Sequence, residues 1–375
     1  MVEPLVPLRL TGLSNHPRAS WADGLRVQWP ASVVERAGWR RATDPDGTLH
    51  LPPDEAPIPP ADVQSLRERC AFTDRPPVSA RLPVDYRMVP GWARAAIASA
   101  IGRWNRRRVH RWASFPAWPI DLSADALDDV GHHAAAPARP APIVLTHDID
   151  SDEGLVNLVD RFLPLEESFG ARSTNYIVPC ARPLDEGRLR TVIDRGHDLG
   201  VHGYDHSNRT AFADAPDRAR RLDAGLAFAQ RFGAVGYRAP SLLRTRALVR
   251  DVGARYRYDS SIPTSGGLFP VSNNGCATAR PFVIEDAVEL PVTMPRDGLL
   301  RFLGSSPDEI LRVWTDCADL IARARGVVVV LTHCERRFSG SGAMLDAYRR
   351  LLEHTQRHPD RFVFSSPARV LADAL

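Results

Sequence analysis

The sequence predicts an α/β fold, a distorted (β/α)7-type barrel over residues 141–375 that follows an irregular, partly helical N-terminal extension over residues 1–140. From residue 143 onwards, short apolar runs alternate with longer segments of helical periodicity. This alternation is typical of parallel strands joined by crossover helices. About seven such units in the last ~230 residues suit a barrel better than an open sheet, and barrels carry their active sites at the C-terminal strand ends.

The barrel elements follow from local patterns taken in chain order. Short runs rich in apolar, β-branched or aromatic residues predict strands at 143–147, 173–178, 198–201, 235–237, 288–292, 327–332 and 362–364. Apolar residues three and four positions apart predict helices at 153–169, 185–195, 214–232, 307–325, 341–357 and 367–375. The segment 134–142, made of small residues and proline, predicts the hinge before the barrel.

The N-terminal extension has a different composition. Residues 1–80 are rich in Pro, Arg and Asp with weak periodicity, and the Pro-rich stretch 51–60 excludes a regular helix. Residues 91–112 can form a helix with a basic flank, interleaved with Trp92, Trp104 and Trp112. Such a helix favours either peripheral contact with the inner membrane surface or an accessory helix whose Trp residues pack on the barrel. No nucleic-acid-binding module accompanies it, so nucleic acid is not expected as a partner.

Composition excludes several classes of protein. The 48 basic residues are all Arg, and the absence of Lys excludes Schiff-base catalysis and a P-loop Lys. Five cysteines without a Cys-x2-Cys pair argue against a disulfide framework or a four-cysteine zinc module. The N-terminus lacks a basic region followed by an apolar one, so we expect a cytoplasmic protein. No oligomeric state is predicted.

Two short segments carry the chemistry. Asp148 and Asp150 follow one predicted strand, and His202 and His206 follow another. One carboxylate and two imidazoles can hold a single metal ion, which leaves the second Asp free to act as a general base. The alternative is that the Asp residues cap the next helix and the His residues lie apart on the surface. With one Asp and two His residues as metal ligands and the second Asp as a base, the sequence predicts a metal-dependent hydrolase.

Five segments in order resemble the polysaccharide deacetylases of the NodB-homology type, carbohydrate esterase family 4. The family's Thr-Phe-Asp-Asp strand end is similar to the segment that ends in Asp150, and its His-x3-His is similar to His202 through His206. The remaining three similar segments are Arg238-Ala239-Pro240, Tyr258-Asp259-Ser260-Ser261 and Leu331-Thr332-His333. The resemblance covers roughly residues 141–370.

The resemblance implies a divalent metal, usually zinc, and hydrolysis of an N-acetyl group from a sugar unit of a polysaccharide or of its lipid- or nucleotide-linked precursor. An N-acetylated carbohydrate would then be the substrate. The implied roles are metal ligation by Asp150, His202 and His206, base catalysis by Asp148, acid catalysis by His333, and orientation of the base by Arg238. The implied substrate-binding residues are Tyr237, Pro240, Tyr258, Asp259 and Leu331.

One departure from the family pattern concerns the paired carboxylates. The family commonly has adjacent Asp residues, whereas Ile149 separates Asp148 from Asp150 here. On a strand the two would point to the same side, so which Asp binds the metal stays open. The same alternation predicts that His147 faces away from the site as a packed residue. Glu335, just beyond His333, can be a helix cap or can orient His333.

Two other functions fit the same pattern. A related C–N hydrolase acting on a small amide or cyclic imide would use the same barrel and metal chemistry. A non-catalytic carbohydrate-binding or scaffold protein would use the fold alone. Outside the motif segments, His354 and His358 repeat the four-residue His spacing on a polar predicted helix, where we expect them to be solvated.

Overall fold

The structure is a computed structural model that describes residues 5–11, 21, 26–30, 48–50, 60–68, 71–73, 75–81, 90–107, 120–131, 139–264 and 275–374. Its N-terminal part contains a three-stranded sheet that the sequence did not predict, with the order β2-β1-β3. These strands are β1 Leu5–Thr11, β2 Arg26–Pro30 and β3 Thr48–His50. The helices of the extension are α1 Pro60–Glu68, α2 Val78–Arg81, α3 Gly91–Arg106 and α4 Ser123–Gly131.

The barrel region alternates strands and helices as predicted. Its strands are β4 Ala141–Ile149, β5 Ser173–Ile177, β6 Asp198–Val201, β7 Gly236–Tyr237, β8 Tyr258–Asp259, β9 Phe282–Ile284, β10 Ala287–Glu289, β11 Val328–His333 and β12 Phe362–Phe364. Its helices are α5 Asp152–Asn157, α6 Leu163–Ser168, α7 Glu186–Asp194, α8 Ala215–Phe232, α9 Arg246–Gly253, α10 Asp297–Phe302, α11 Pro307–Arg323, α12 Gly342–Gln356 and α13 Pro367–Ala374. A π-helical turn, Leu158–Phe162, joins α5 to α6.

The strands form one curled sheet in the order β11-β4-β5-β6-β7-β8-β10-β9, and β12 pairs with the start of β4. All pairs are parallel except the β9–β10 hairpin. The segment after β10 then crosses to β11, where the Met294 N–H donates to the Val329 carbonyl at 3.1 Å. The predicted fold class, a distorted barrel of this type, is confirmed. Strands β8 and β9 and helices α9 and α10 were not predicted, and of these β8, β9 and α10 are too short to show a period.

Alternation along β4 determines which side chains reach the barrel interior. Ile143, Leu145 and Ile149 belong to the core between the sheet and the helices, whereas Val144 packs with Tyr176 inside the barrel. Residues with even numbers on this strand therefore point inward. The odd-numbered His147 points outward, as predicted, and is fully buried beside Glu166 on α6.

The described part of the extension packs on the barrel at two places. On α4, the buried Asp125 carboxylate accepts the Ala279 N–H at 2.7 Å and the Thr278 hydroxyl. On α3, Gly102 lies so close to the α10 backbone that an added Cβ would be 2.0 Å from the Phe302 carbonyl oxygen. Helices α3 and α4 of the extension thus contact the barrel directly.

Helix α3 carries two large aromatic residues that are mostly exposed. Trp92 is 77% exposed and Trp104 is 54% exposed. Ile97 and Ile101 are exposed as well. Residues 108–112 of the predicted helix, including Trp112, lie outside the described part of the chain. Within the described residues, no helix combines the length and apolar character that crossing a bilayer requires.

Candidate metal and active site

The polar residues of the predicted motifs meet at one end of the barrel. Asp148 and Asp150 lie at the end of β4, His202 follows β6, Arg238 follows β7, and His333 ends β11. Because these strands are parallel, their carboxyl ends open at the same edge of the sheet. The structure brings together the two Asp residues, the His pair and Arg238, which are far apart in sequence.

The end of β4 places both carboxylates on the inner side. The pairing of β4 with β5 continues to Ile149 opposite Ile177, so the strand has not ended at Asp148. Ile149 is fully buried in the outer core. Asp148 and Asp150 flank it and therefore both point inward. The residue inserted between them does not disrupt the site.

Asp150, His202 and His206 form a group whose ligand atoms all lie within 4.8 Å of one another. The Asp150 Oδ1 atom is 3.4 Å from His206 Nε2 and 3.6 Å from His202 Nε2. This oxygen is buried and accepts no hydrogen bond from the described residues. A buried carboxylate oxygen without a donor is costly unless a cation lies against it. These residues therefore fit a divalent ion.

The tautomer of His202 supports the same conclusion. Its Nδ1 atom lies 3.0 Å from the Arg238 carbonyl, which can only accept, so Nδ1 carries the proton. Burial lowers the pKa of His202, which favours the neutral ring. The Nε2 lone pair then points at Asp148 Oδ2 and Asp150 Oδ1, each 3.6 Å away. The Asp150 carboxylate, the Nε2 lone pair of His202 and the nearby His206 ring are thus placed as metal ligands are.

Arg238 distinguishes the two carboxylates. It is fully buried, and its Nη1 donates to Asp148 Oδ1 at 3.0 Å and to the Thr146 hydroxyl at 2.9 Å. Its remaining donors bind the carbonyl and hydroxyl of Ser260. Burial raises the pKa of Asp148, but the neighbouring His202 and the positive charge of Arg238 outweigh it and keep that pKa below its usual value. Asp148 is thus an ionised carboxylate held in a fixed orientation.

Asp150 is also kept ionised, by a different set of neighbours. Burial raises its pKa, and the charges of His206 and His333 more than offset this, so the net shift is downward. No Arg side chain bonds its carboxylate in any contact that the structure describes. Asp148 therefore interacts with Arg238, whereas Asp150 faces the imidazoles.

The His-x3-His segment forms a loop, not a helical turn. His206 has a positive φ of 60°, an uncommon conformation for a residue other than glycine. Within the loop, Asp205 accepts the Ser207 N–H at 3.0 Å. Gly203, also at positive φ, touches Pro240, and an added Cβ would lie 2.4 Å from Pro240 Cδ. This close approach joins the loop after β6 to the loop after β7.

His333 has a partner that the sequence did not reveal. Its Nδ1–H donates to Asp297 Oδ1 at 2.7 Å, and its backbone N–H donates to Asp297 Oδ2 at 2.8 Å. Asp297 is fully buried at the start of α10 and also accepts the Ser339 hydroxyl. Burial lowers the pKa of His333, but the Asp297 carboxylate more than compensates and raises it to about 9. The His333 ring is therefore a cation at neutral pH, and its Nε2 atom takes no part in the hydrogen bond to Asp297.

The residues implied to bind substrate lie mostly below the site. Tyr237 is buried and packs on Tyr256, with ring centroids 5.1 Å apart. The Tyr258 hydroxyl accepts a hydrogen bond from Tyr176 inside the barrel. Asp259 is buried with its carboxylate bonded to Ser261.

The structure does not bring these three side chains to the carboxylates and imidazoles. Pro240 packs on Gly203, as described above. Leu331 is buried and clusters with Leu242 and Val292. Of the implied substrate-binding residues, Leu331 is the one that precedes His333 by two positions on the same strand.

Comparison with solved structures supports the fold. A protein described as a polysaccharide deacetylase from Mycobacterium smegmatis superimposes with a TM-score of 0.51 at 19% identity, over 64% of this chain and 92% of that one. A polysaccharide deacetylase of Pseudomonas aeruginosa PAO1 gives 0.46 at 16% identity, over 64% and 94% of the two chains. A Puue allantoinase gives 0.49 at 16% identity over the same shares. No protein-family model and no curated protein matches the sequence. The resemblance to the polysaccharide deacetylase fold is confirmed.

The His333–Asp297 pair predicts a pH dependence of stability in chelator-treated protein. The pKa of His333 is raised from its usual 6.5 to about 9, so its stabilisation is complete below pH 6.5 and is lost as the pH rises through 9. The loss amounts to at most about 3 kcal/mol of unfolding free energy. Asp297→Asn should remove most of this difference in urea unfolding at the two pH values.

The matched control is Asp319→Asn. Asp319 accepts a hydrogen bond from the more exposed His354 at 3.0 Å, so this variant tests a surface His–Asp pair. It should leave the pH dependence of the unfolding free energy close to that of the wild type. An equal effect of the two substitutions would contradict the assignment of the transition to His333.

Proposed function

We propose that this protein is a metal-dependent hydrolase that removes the N-acetyl group from a sugar unit of a polysaccharide or of its lipid- or nucleotide-linked precursor. The observation that carries the proposal is the convergence of Asp150 Oδ1 and the proton-free Nε2 of His202 beside His206. The fold likeness supports a hydrolase of this architecture. The ordered motifs support the choice of an acetylated sugar.

Asp150, His202 and His206 would hold the ion. Two imidazoles and one carboxylate suit zinc in a catalytic site, where a further position stays open to water or substrate. When bound, such an ion polarises the acetamide carbonyl and lowers the pKa of water. Asp148 would remain outside the ligand set because Arg238 holds one of its oxygens. This division assigns the ligand role to Asp150 and the base role to Asp148.

The chain's own groups would move the protons. Asp148 accepts a proton from the attacking water, because Arg238 keeps the carboxylate ionised and correctly oriented. The water oxygen forms the new bond to the acetyl carbon, and the C–N bond breaks. His333 supplies the proton to the departing sugar amine, and Asp297 holds the imidazolium with Nε2 directed away from itself. Acetate and the free amine are the products.

An apolar group beside the acid can receive the acetyl methyl. Leu331, Leu242 and Val292 cluster together, and Leu331 lies two residues before His333 on β11. A methyl group placed against this cluster would be removed from water, which favours the acetyl over a larger or charged acyl group.

The His333 assignment predicts a separation of turnover from metal content. His333→Gln should lower the turnover of an N-acetylated sugar oligomer by roughly 10²–10⁴, because a general acid is lost. Bound zinc should stay at the wild-type level, since His333 lies outside the ligand group. Acetate release and elemental analysis on the same samples test both statements.

Two results would contradict the assignment. Loss of zinc in His333→Gln would make His333 a ligand instead of an acid. Wild-type activity on small amides or cyclic imides with none on acetylated sugars would replace the substrate class while retaining C–N hydrolysis.

We also propose that α3 contacts the inner membrane surface, where lipid-linked sugar precursors are available. Trp92, Ile97 and Trp104 are exposed on this helix, which contains Arg residues and no acidic residue. Such a combination favours an anionic bilayer surface.

Vesicle flotation tests the membrane contact. The wild type should float with vesicles that contain phosphatidylglycerol at low salt and less so at high salt, because screening weakens the Arg contribution. Replacing Ile97 and Trp104 with Ser should abolish flotation. Val283→Ser with Val363→Ser is the control, since these are exposed apolar residues elsewhere on the surface. Equal flotation of all three proteins, or none by the wild type, would contradict the proposal.

A further inference from the structure

Glu335 lies beneath the end of β4, although it belongs to the loop after β11. Its side chain is 3% exposed. The Glu335 Oε1 atom accepts the Asp150 N–H at 3.1 Å and the Ser151 hydroxyl at 2.7 Å. Asp150 is the first residue beyond the last paired position of β4 with β5, at Ile149. Glu335 therefore binds the Asp150 amide just where the strand pairing ends.

The start of helix α5 leaves space for this carboxylate. An added Cβ at Gly154 would lie 2.4 Å from Glu335 Oε1 and 2.9 Å from its Cδ, and the three nearest atoms all belong to Glu335. Ser151 caps the helix by accepting the Gly154 N–H at 3.1 Å. Its hydroxyl thus links the helix start to Glu335. A side chain at position 154 would displace the carboxylate.

The loop that carries Glu335 is itself held in place. Asn157, one turn after Gly154, donates to the Cys334 carbonyl at 2.9 Å. The Glu335 carbonyl accepts the Phe338 and Gly340 N–H groups at 2.9 and 3.1 Å. Because Glu335 is fixed by its own loop and by α5, it can fix the peptide that it binds.

We propose that Glu335 is a positioning residue that holds the Asp150 backbone so that the Asp150 carboxylate stays beside His202 and His206. The inference rests on the proposed function, in which Asp150 is a metal ligand. Beyond the paired part of the strand, the described side-chain contacts of the Asp150 backbone are that of Glu335 with its N–H and that of Arg182 Nη1 with its carbonyl at 2.9 Å. A shift of about 1 Å in a supporting contact is enough to loosen a site. Glu335 acts through the backbone of Asp150 and need not touch the ion.

The experiment measures two quantities in each variant. The first is hydrogen exchange of the Asp150 amide in metal-free protein by NMR. The second is zinc affinity by competition with a chelator. Glu335→Ala should speed exchange of this amide and weaken zinc binding by about 10–100-fold, as for other groups that orient ligands. Glu335→Gln retains an oxygen acceptor and should restore both quantities to near the wild-type values.

Gly154 provides an independent test of the same contact. Gly154→Ala should weaken zinc binding because the new methyl group displaces Glu335. In a Glu335→Ala background the same methyl group has space, so the two effects should not add. Gly187→Ala is the matched control, because a Cβ there meets only the Asp185 side chain at 3.4 Å. It should leave zinc affinity unchanged.

Several results would overturn the proposal. Unchanged exchange of the Asp150 amide in Glu335→Ala would show that the contact does not restrain the peptide. Faster exchange with unchanged zinc affinity would remove the positioning role. Additive effects of Gly154→Ala and Glu335→Ala would separate the two residues. A wild-type protein that binds no zinc would contradict the proposed function instead, and the exchange rates of the metal-free proteins would then decide the Glu335 contact on their own.

Discussion

The structure of the site depends on keeping two carboxylates ionised inside a barrel mouth. Asp148 is buried and Asp150 is nearly so, and a buried carboxylate without compensating charge is strongly unfavourable. Arg238 compensates Asp148 through a direct hydrogen bond. Around Asp150 the compensation comes from His206 and His333, together with any ion that the group holds. The barrel brings these partners together because its parallel strands end at a common edge.

This charge arrangement also distinguishes the surroundings of the two carboxylates. Arg238 binds the carboxylate nearest the strand and leaves the outer carboxylate to the imidazoles. The carbonyl of the same Arg238 residue fixes the tautomer of His202. One residue thus orients the Asp148 carboxylate with its side chain and the His202 ring with its backbone. On the neighbouring strand β11, whose His333 is in register with Asp148, Asp297 fixes the His333 ring, so His333 and Asp148 face the site from adjacent strands.

Local sequence predicted the parts of the site that depend on the alternation of side-chain direction along a β-strand. The inward direction of Asp148 and Asp150 and the outward direction of His147 follow from the period of a strand. The His202–His206 spacing was informative without a helix, because a tight loop with a positive φ at His206 also brings the rings together. The barrel itself followed from the order of strands and helices. Those inferences need only neighbours along the chain.

Contacts between distant segments could not be predicted in this way. Asp297 lies 36 residues before His333 and Glu335 lies 185 residues after Asp150, and neither stands in a recognisable pattern. Tyr258 and Asp259 are the opposite case, in which a sequence motif suggested pocket residues. Their segment resembles a pocket motif, yet the short strand β8 buries both side chains. Burial on so short a strand is decided by its neighbours, Gly236 and Glu289, and not by its own residues.

The central claim is that Asp150, His202 and His206 bind one metal ion. Zinc content by elemental analysis, with X-ray absorption at the zinc edge, tests it most directly. The account predicts about one zinc per wild-type chain with nitrogen and oxygen ligands near ~2.0–2.1 Å. Zinc should be lost in His206→Ala and retained in His354→Ala, where the second His pair has the same spacing. Retention of zinc in His206→Ala, or sulfur ligands near ~2.3 Å, would contradict the account.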